Sequence, residues 1–498
     1  MTELAARAAD PEAARPDEAE ASVTPATTDP AQTNAEAEIE APATPAIPGQ
    51  STAPAKSPAP AAVTAPEAAA GASASGAATA STGAAVSAPG AAAPRAIPVP
   101  RTWIAVAMYA VSLVALWLSP MGHHWNFVDI GVYRQGGLAV LHDSGLYDPS
   151  FNHHALPFTY PPISALVFTG LGLMSDYISQ IFATVCTLVL LPLALRFALR
   201  LRPFSGWLTA SQATRLALAA AAAGVWFEPM WTTLRYGQIN VLISALILFD
   251  LSRSDDRRWK GAAIGIAAGL KMTPLIFIVY LAATRRYRAA ATALGGFVGT
   301  IALSFAIIPG DARIYWTQDV LNSNRPGRVE NAANQTLRGA LSRLLHTENV
   351  QTPWLCAALI VAGVGVFLAV QAQRRGGNEA GGFALCAITG LLVSPISWTH
   401  HWVEAIPALM LVLLKAYRDR STPLLIACIV AAVIGYSQIT WRVPLSDFYG
   451  HVELHEHGRQ LVFSNAYVLA ALVALGWAGV AACRSRRPAD VAAAAAKA

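Results

Sequence analysis

Six stretches of this sequence set carboxylate, amide, cationic and aromatic side chains among apolar runs. "DIGVY" holds Asp129 and Tyr133, "LPFTYPP" (156–162) holds Tyr160, and "LRYGQIN" (234–240) holds Gln238 and Asn240. "GLKMTP" sets Lys271 between two apolar runs. "NSNRPGRVENAANQTLRGALSRLL" (322–345) carries Asn334, Gln335 and Arg338, and "SPISWTHHW" (394–402) carries Trp398, His400 and His401. Carboxylates and amides hydrogen-bond hydroxyls, and aromatic faces stack on pyranose rings. A purely structural helix bundle has no need of this set.

Each candidate has a plainer reading beside it. Asp129 could cap a helix that starts at Ile130, since Asp is a common N-cap. Asp143 and Asp148 in "HDSGLYDP" read as turn residues. Gln238, Asn240, Asn334 and Gln335 could satisfy backbone groups, and His400 and His401 could serve a helix end. Lys271 could snorkel to the interface, although an ionisable residue at membrane depth is by default a functional one. "HVELHEH" (451–457) offers His451, Glu453, His455 and His457, types that suit zinc, against a hydrated loop. No metal site is assigned and no cofactor is expected, with a divalent cation left open.

The elements that must position these residues are membrane helices. Of 498 residues 54% are hydrophobic and 13% charged, about half the charge of a soluble domain. Apolar runs near the ~20 residues that cross a bilayer recur. Candidate spans cover about 103–120, 178–198, 213–230, 238–252, 261–271, 273–284, 289–308, 354–373, 381–396, 402–417, 421–440 and 464–483. The expectation is an all-α integral membrane protein of about 12 transmembrane helices. Residues 99–484 form its membrane domain, and 485–498 a short cytoplasmic tail.

Residues 1–98 differ in kind. They are Ala/Pro-rich, lack aromatic residues, and carry 11 acidic and 4 basic side chains, leaving a net +12 in the remainder of a chain of net +5. Such a segment cannot bury enough apolar surface to offset its ordering entropy, so a disordered cytoplasmic tail is expected. Its start lacks a basic region followed by an apolar one, so no signal peptide is read there. The five cysteines lie in or beside apolar runs without CxxC spacing, which reads as buried, inert thiols.

Arginine-rich linkers orient the spans. "RFALRLR", "RSDDRRWK", "RRYR", "KAYRDR" and "RSRR" all fall inside if both termini are cytoplasmic. The linkers 121–158, 231–237, 309–352, 397–401 and 441–463 then lie outside, with most of the candidate residues. Residues 160–176 break the parity and read as a re-entrant or shallow helix. The pair 261–271 and 273–284, broken at Lys271, reads as interrupted helix of the sort tolerated where it lines a cavity.

Taken in order, "DIGVY", "LPFTYPP", "GQIN", "GIAAGLKMTP", "NQTLRG" and "SPISWTHHW" resemble glycosyltransferase family 87, a bacterial branch of the C-type superfamily. The likeness runs over about residues 102–483, and the N-terminal tail has no counterpart in it. The family includes actinobacterial polyprenyl-phosphomannose-dependent α-1,2-mannosyltransferases of phosphatidylinositol mannoside and lipomannan synthesis, and arabinofuranosyltransferases of the same envelope. The resemblance implies a β-linked polyprenyl-phosphate-sugar donor, a glycolipid or glycan acceptor, and inversion to an α-linkage. It also implies a plasma-membrane enzyme with an extracytoplasmic site.

Carried over residue by residue, the family's catalytic carboxylate falls on Asp129, with Tyr133 four residues on. Inversion needs a base within hydrogen-bond reach of the acceptor hydroxyl. The departing phosphate needs preorganised cations or donors, for which Lys271, Arg325, Arg328, Arg338, His400 and His401 are the pool. The sugar and lipid headgroup would fall to Tyr133, Tyr160, Gln238, Asn240, Asn334, Gln335 and Trp398. An arabinofuranosyltransferase is the near rival. A transporter or flippase is the distant one, disfavoured because no repeat relates the halves and the polar residues gather on one face. There is neither a P-loop nor a nucleic-acid motif.

Overall fold

The computed structural model describes residues 94–123, 125–148, 156–322, 324–445 and 450–484. The expected tails, apart from 94–98, lie outside the described residues. Within them the architecture is all-helical, with one isolated β-bridge and no strand.

The first helices are α1 (Thr102–Leu118), α2 (Val128–Leu141), α3 (Pro162–Gly172), α4 (Asp176–Ala198) and α5 (Ala210–Gly224). Then come α6 (Glu228–Tyr236), α7 (Asn240–Leu251), α8 (Ala262–Leu270), α9 (Leu275–Ala283), α10 (Tyr287–Ile307) and α11 (Pro309–Ile314). The C-terminal part is α12 (Leu337–Leu345), α13 (Gln351–Gly376), α14 (Glu379–Val393), α15 (Ala405–Arg418), α16 (Thr422–Tyr436), α17 (Arg459–Ser464) and α18 (Ala466–Arg484).

Five helices are long and apolar enough to cross a membrane: α4, α10, α13, α18, and α16 with the turn that follows it. A sixth forms if α1 and the segment Pro120–Leu141, bent by 63°, count as one span. In the five, only 17–28% of the apolar window is buried inside the molecule, so most of their apolar surface faces outward, as lipid contact requires. Two of the thiols expected to be buried, Cys356 on α13 and Cys483 on α18, are exposed on such faces.

Local signals set the breaks. Thr209 and Gln212 form a reciprocal capping box that starts α5, satisfying donors no helix can. The span read as 213–230 ends early, because Phe227 leaves the helix and Pro229 opens the first turn of α6. Residues 231–237, read as a linker, are therefore mostly helical. At 160–176 the chain makes only α3, whose 11 residues reach about 16 Å, too short to cross. It lies hard against α2, where a Cβ on Gly137 would stand 2.1 Å from Phe168 O.

Buried charges tie helix ends together. The Asp250 carboxylate accepts from the amides of Gly261, Ala263 and Ile264, capping α8, while Lys260 Nζ donates to the carbonyls of Asp250, Leu251 and Arg253 at the end of α7. Glu228 accepts from Tyr467 Oη at 2.6 Å and from Trp441 Nε1 at 2.9 Å, linking α6 to the C-terminal helices.

Candidate active site

The site starts from one tight turn. Gly237 ends α6 at φ 73°, a conformation that costs glycine little. A Cβ there would sit 2.7 Å from Ile130 Cβ, so the α6–α7 turn rests against the first turn of α2. Phe127 N donates to Arg235 O at 2.9 Å and fixes the same approach. Gln238 thereby meets Asp129.

Gln238 Nε2 donates to Asp129 Oδ2 at 2.7 Å. Tyr133 donates to Gln238 Oε1 at 2.8 Å, and the Tyr160 hydroxyl stands 2.7 Å from that of Tyr133 and 3.1 Å from Gln238 Oε1. Tyr133 and Gln238 are buried. The cap reading of Asp129 gives way here: Phe127 holds the cap position, Asp129 lies inside the first turn of α2, and its carboxylate faces a side chain. Burial pushes the Asp129 carboxyl up from 3.8 to about 6, against the lowering effects of the Gln238 hydrogen bond and the Lys271 charge.

Lys271 ends α8 in an extended conformation (φ −152°, ψ 130°), and the helix resumes only after Pro274. Its ammonium turns inward rather than snorkelling. Nζ donates to Asn240 Oδ1 at 2.6 Å and lies 5.3 Å from the Tyr160 ring centroid. Asn240 Nδ2 donates in turn to His400 O at 2.7 Å, joined there by Thr233 Oγ1 at 3.1 Å. The His400 and His401 rings stand 4.8 Å apart, and His400 Nε2 and His401 Nδ1 are buried without a hydrogen-bond partner.

Asp129, Tyr160, Gln238, Lys271, Trp398, His400 and His401 line one cavity of about 550 Å³. Its wall continues through apolar side chains including Leu156, Met272, Val320 and Ile396. A smaller recess of about 20 Å³ shares Lys271 and His401 and adds Asn240 and Glu404.

Tyr133, fully buried behind Gln238, and Arg328 do not line the cavity, and three further proposed contact residues are placed elsewhere. Asn334 Nδ2 donates to Val329 O, and its Oδ1 accepts from Ser397 N and Thr336 Oγ1. Gln335 donates to Ala332 O and Ser464 O and accepts from Tyr467 N. Arg338 donates to Asn324 Oδ1 at 2.7 Å and lies over the Trp354 ring. None of the three is among the residues lining the cavity. They brace it: Gln335 N donates to Ser397 O, and Asn334 bridges Trp398. Fully buried Arg343 tightens the same loop by donating to the carbonyls of Glu330, Asn331 and Asn334.

Asp143 sits at φ 50° in an exposed turn, and neither it nor Asp148 lines the cavity. In the stretch 451–457 His451, His455 and His457 are exposed, as the hydrated-loop reading has it, while Glu453 and Glu456 are buried and Glu456 accepts from Ser464. His451 Nδ1 lies 3.0 Å from Glu330 Oε1 and 2.7 Å from Glu348 Oε1, a trio with donor types for a metal. Arg328 Nε already donates to that Glu330 oxygen at 2.8 Å, a cation where a metal would need a free ligand.

Two carboxylates near the site escaped the sequence reading. Asp319 ends the π-helical turn Tyr315–Asp319, pairs with Arg325 and lines the cavity with it. Glu404, half-buried in the recess, leaves a buried Oε2 without a partner.

Comparison with known proteins places the chain in a family. The model of glycosyltransferase family 87 matches residues 158–395. A polyprenol-phosphate-mannose-dependent alpha-(1-2)-phosphatidylinositol pentamannoside mannosyltransferase of Mycobacterium tuberculosis is 33% identical over 395 residues, covering 76% of this chain and 88% of the relative. A polyprenol-phosphate-mannose-dependent alpha-(1-2)-phosphatidylinositol mannoside mannosyltransferase of Mycolicibacterium smegmatis is 36% identical over 317 residues, covering 59% and 71%. The crystal structure of ArnT from Cupriavidus metallidurans bound to undecaprenyl phosphate aligns at TM-score 0.39 and 16% identity over 76% of this chain and 78% of its own. With a relative one-third identical along most of its length, the chain belongs to glycosyltransferase family 87.

Proposed function

We propose that the protein is a membrane mannosyltransferase that moves mannose from a polyprenyl-phosphate donor to a hydroxyl of a cell-envelope glycolipid of the phosphatidylinositol mannoside or lipomannan type. The linkage formed is α-1,2, with inversion. The convergence of Asp129 with Lys271, His400, His401 and Trp398 on a single cavity carries this reading.

In the reaction, a carboxylate oxygen of Asp129 takes the proton of the acceptor hydroxyl as its oxygen attacks the anomeric carbon. The bond from that carbon to the phosphate oxygen breaks on the opposite face, and its electron pair stays with polyprenyl phosphate. Gln238 holds Asp129 Oδ2, which leaves Oδ1 for the acceptor. Lys271 and the unpartnered nitrogens of His400 and His401 face the phosphate as it gains charge. Trp398 and Tyr160 offer faces to the sugar.

In the bilayer, the reading that goes with this chemistry is a C-type glycosyltransferase with about 12 membrane helices in residues 99–484. Both tails (1–98 and 485–498) are cytoplasmic, and the cavity opens on the outer side of the plasma membrane. The arginine-rich linkers support that orientation. No cofactor takes part in this scheme, and adding a chelator should leave turnover unchanged.

The test is transfer by membranes carrying the protein, given radiolabelled polyprenyl-phosphate mannose, polyprenyl-phosphate arabinose and a panel of acceptor lipids. Mannose transfer to a mannosylated phosphatidylinositol supports the reading. Transfer from the arabinose donor alone contradicts it.

A further inference from the structure

A second cavity, of about 540 Å³, is lined by Arg200, Arg253, Arg257, Phe249, Ser252 and Ser254. It lies at the other end of the bundle from the reaction site. Helix α7 begins at Asn240, in the catalytic recess, and ends at Leu251 beside this cavity. Its 12 residues separate the two by about 18 Å. No carboxylate lines the cavity, and among the described residues none of its three arginines makes an ion pair within 4.0 Å. The neighbouring Asp255 is already engaged by Lys260 and Arg286. Asp256, beside Arg257, lies in the loop but not in the lining.

A second observation says what fills it. Phe182, Val189 and Leu193 on the spanning helix α4 are 48%, 55% and 39% exposed. At about 100° per residue they share one azimuth, and Arg200 follows in the turn two residues past the end of the helix. Phe197 of the same helix packs edge-on against Phe249 at 5.4 Å, joining that stripe to the cavity wall. Arg253 lies over the Phe249 ring at 5.4 Å. An exposed apolar track therefore leads along a membrane helix into a pocket of arginines with no acid in its lining.

We propose that this cavity binds the phosphodiester headgroup of an anionic membrane lipid, whose acyl chains lie along the outward stripe of α4. Guanidinium forks match phosphate oxygens in pairs, and the end of a spanning helix is the depth at which lipid phosphate sits. The positive-inside pattern accounts for basic residues at this end of the helices, but not for three of them around one cavity at the foot of an apolar track. On the orientation proposed above, the lipid belongs to the inner leaflet. The inference itself rests on the cavity and not on the transfer reaction.

Native mass spectrometry of the detergent-purified protein, titrated with phosphatidylglycerol or phosphatidylcholine of the same acyl composition, tests it. The wild type should retain phosphatidylglycerol preferentially. In the variant Arg200→Gln/Arg253→Gln/Arg257→Gln that preference should fall by about tenfold or more, since each arginine near an anionic headgroup adds a comparable share. The variant Arg374→Gln/Arg375→Gln/Arg484→Gln, with the same charge removed elsewhere, should bind as wild type does. Equal loss in both variants, no loss in the first, or displacement of the lipid by excess inorganic phosphate would each overturn the proposal. The substituted arginines are at the surface, and unchanged melting temperatures confirm that both variants fold.

Discussion

Gln238 Nε2 donates to Asp129 Oδ2 at 2.7 Å, while Gln238 Oε1 accepts from Tyr133 at 2.8 Å. One amide thus links the candidate base to two tyrosines. A glutamine in this place fixes the rotamer of the carboxylate and leaves its second oxygen for substrate.

Replacing Gln238 with alanine should therefore harm the reaction more than the fold around it. The carboxylate loses its holder, and two tyrosine hydroxyls lose an acceptor. Turnover is expected to fall by about tenfold or more, the equivalent of about 1.4 kcal/mol of transition-state stabilisation. Glutamate at this position would set a second carboxylate against Asp129 and should be worse still. Steady-state transfer rates of the two variants, compared at equal amounts of folded protein, check the order. An alanine variant as fast as wild type would mean that Asp129 needs no holder.

The rate should rise with pH through about 6. Burial raises the Asp129 carboxyl to about 6, and a base must be ionised to accept a proton, so activity is lost below that value and regained above it. The Lys271 ammonium pulls this value down. In Lys271→Met the rising limb should move to higher pH, in addition to any loss of maximal rate. A limb that stays in place in that variant, or a profile flat between about pH 5 and 7, would separate Asp129 from proton transfer.

His400 and His401 present unpartnered ring nitrogens near the lysine. Alanine at one or both should lower turnover by about tenfold or more, with the loss in kcat if the contact forms as the phosphate gains charge. Single-turnover rates of each variant give the answer. If both single variants react like wild type, the phosphate is held by Lys271 and Arg325 instead.

Orientation has its own test. Asn349 is exposed in the linker between α12 and α13. A single cysteine placed there should react with an impermeant maleimide added to intact cells. Labelling that appears only after permeabilisation would put the cavity on the cytoplasmic side.

Much of the site was legible because polar residues stand out in an apolar chain. Asp129, Gln238, Lys271, Trp398, His400 and His401 come from four distant stretches and line one cavity. The break at Lys271 was readable from the Pro274 that follows it. Asn334, Gln335 and Arg338 were the harder cases. Their partners are not implied by neighbouring sequence: Gln335 reaches the carbonyl of Ser464, 129 residues away. A buried amide that braces a loop and one that grips a sugar look the same until the partner is seen. Helix α6 was hidden inside an apolar run, and only the Glu228–Pro229 pair marked its start. Asp319 was overlooked because a carboxylate in a polar linker carries no signal until the chain folds it against Arg325.

The central claim is that Asp129 is the base, and the substitution Asp129→Asn tests it most directly. Asparagine keeps the size of the side chain and an oxygen that can still accept from Gln238, but cannot take a proton from the acceptor. Transfer of mannose from polyprenyl-phosphate mannose should fall by the ~10²–10⁴-fold that a general base supplies, while the melting temperature and donor affinity stay at wild-type values. An Asp129→Asn protein that transfers mannose at close to the wild-type rate would contradict the account.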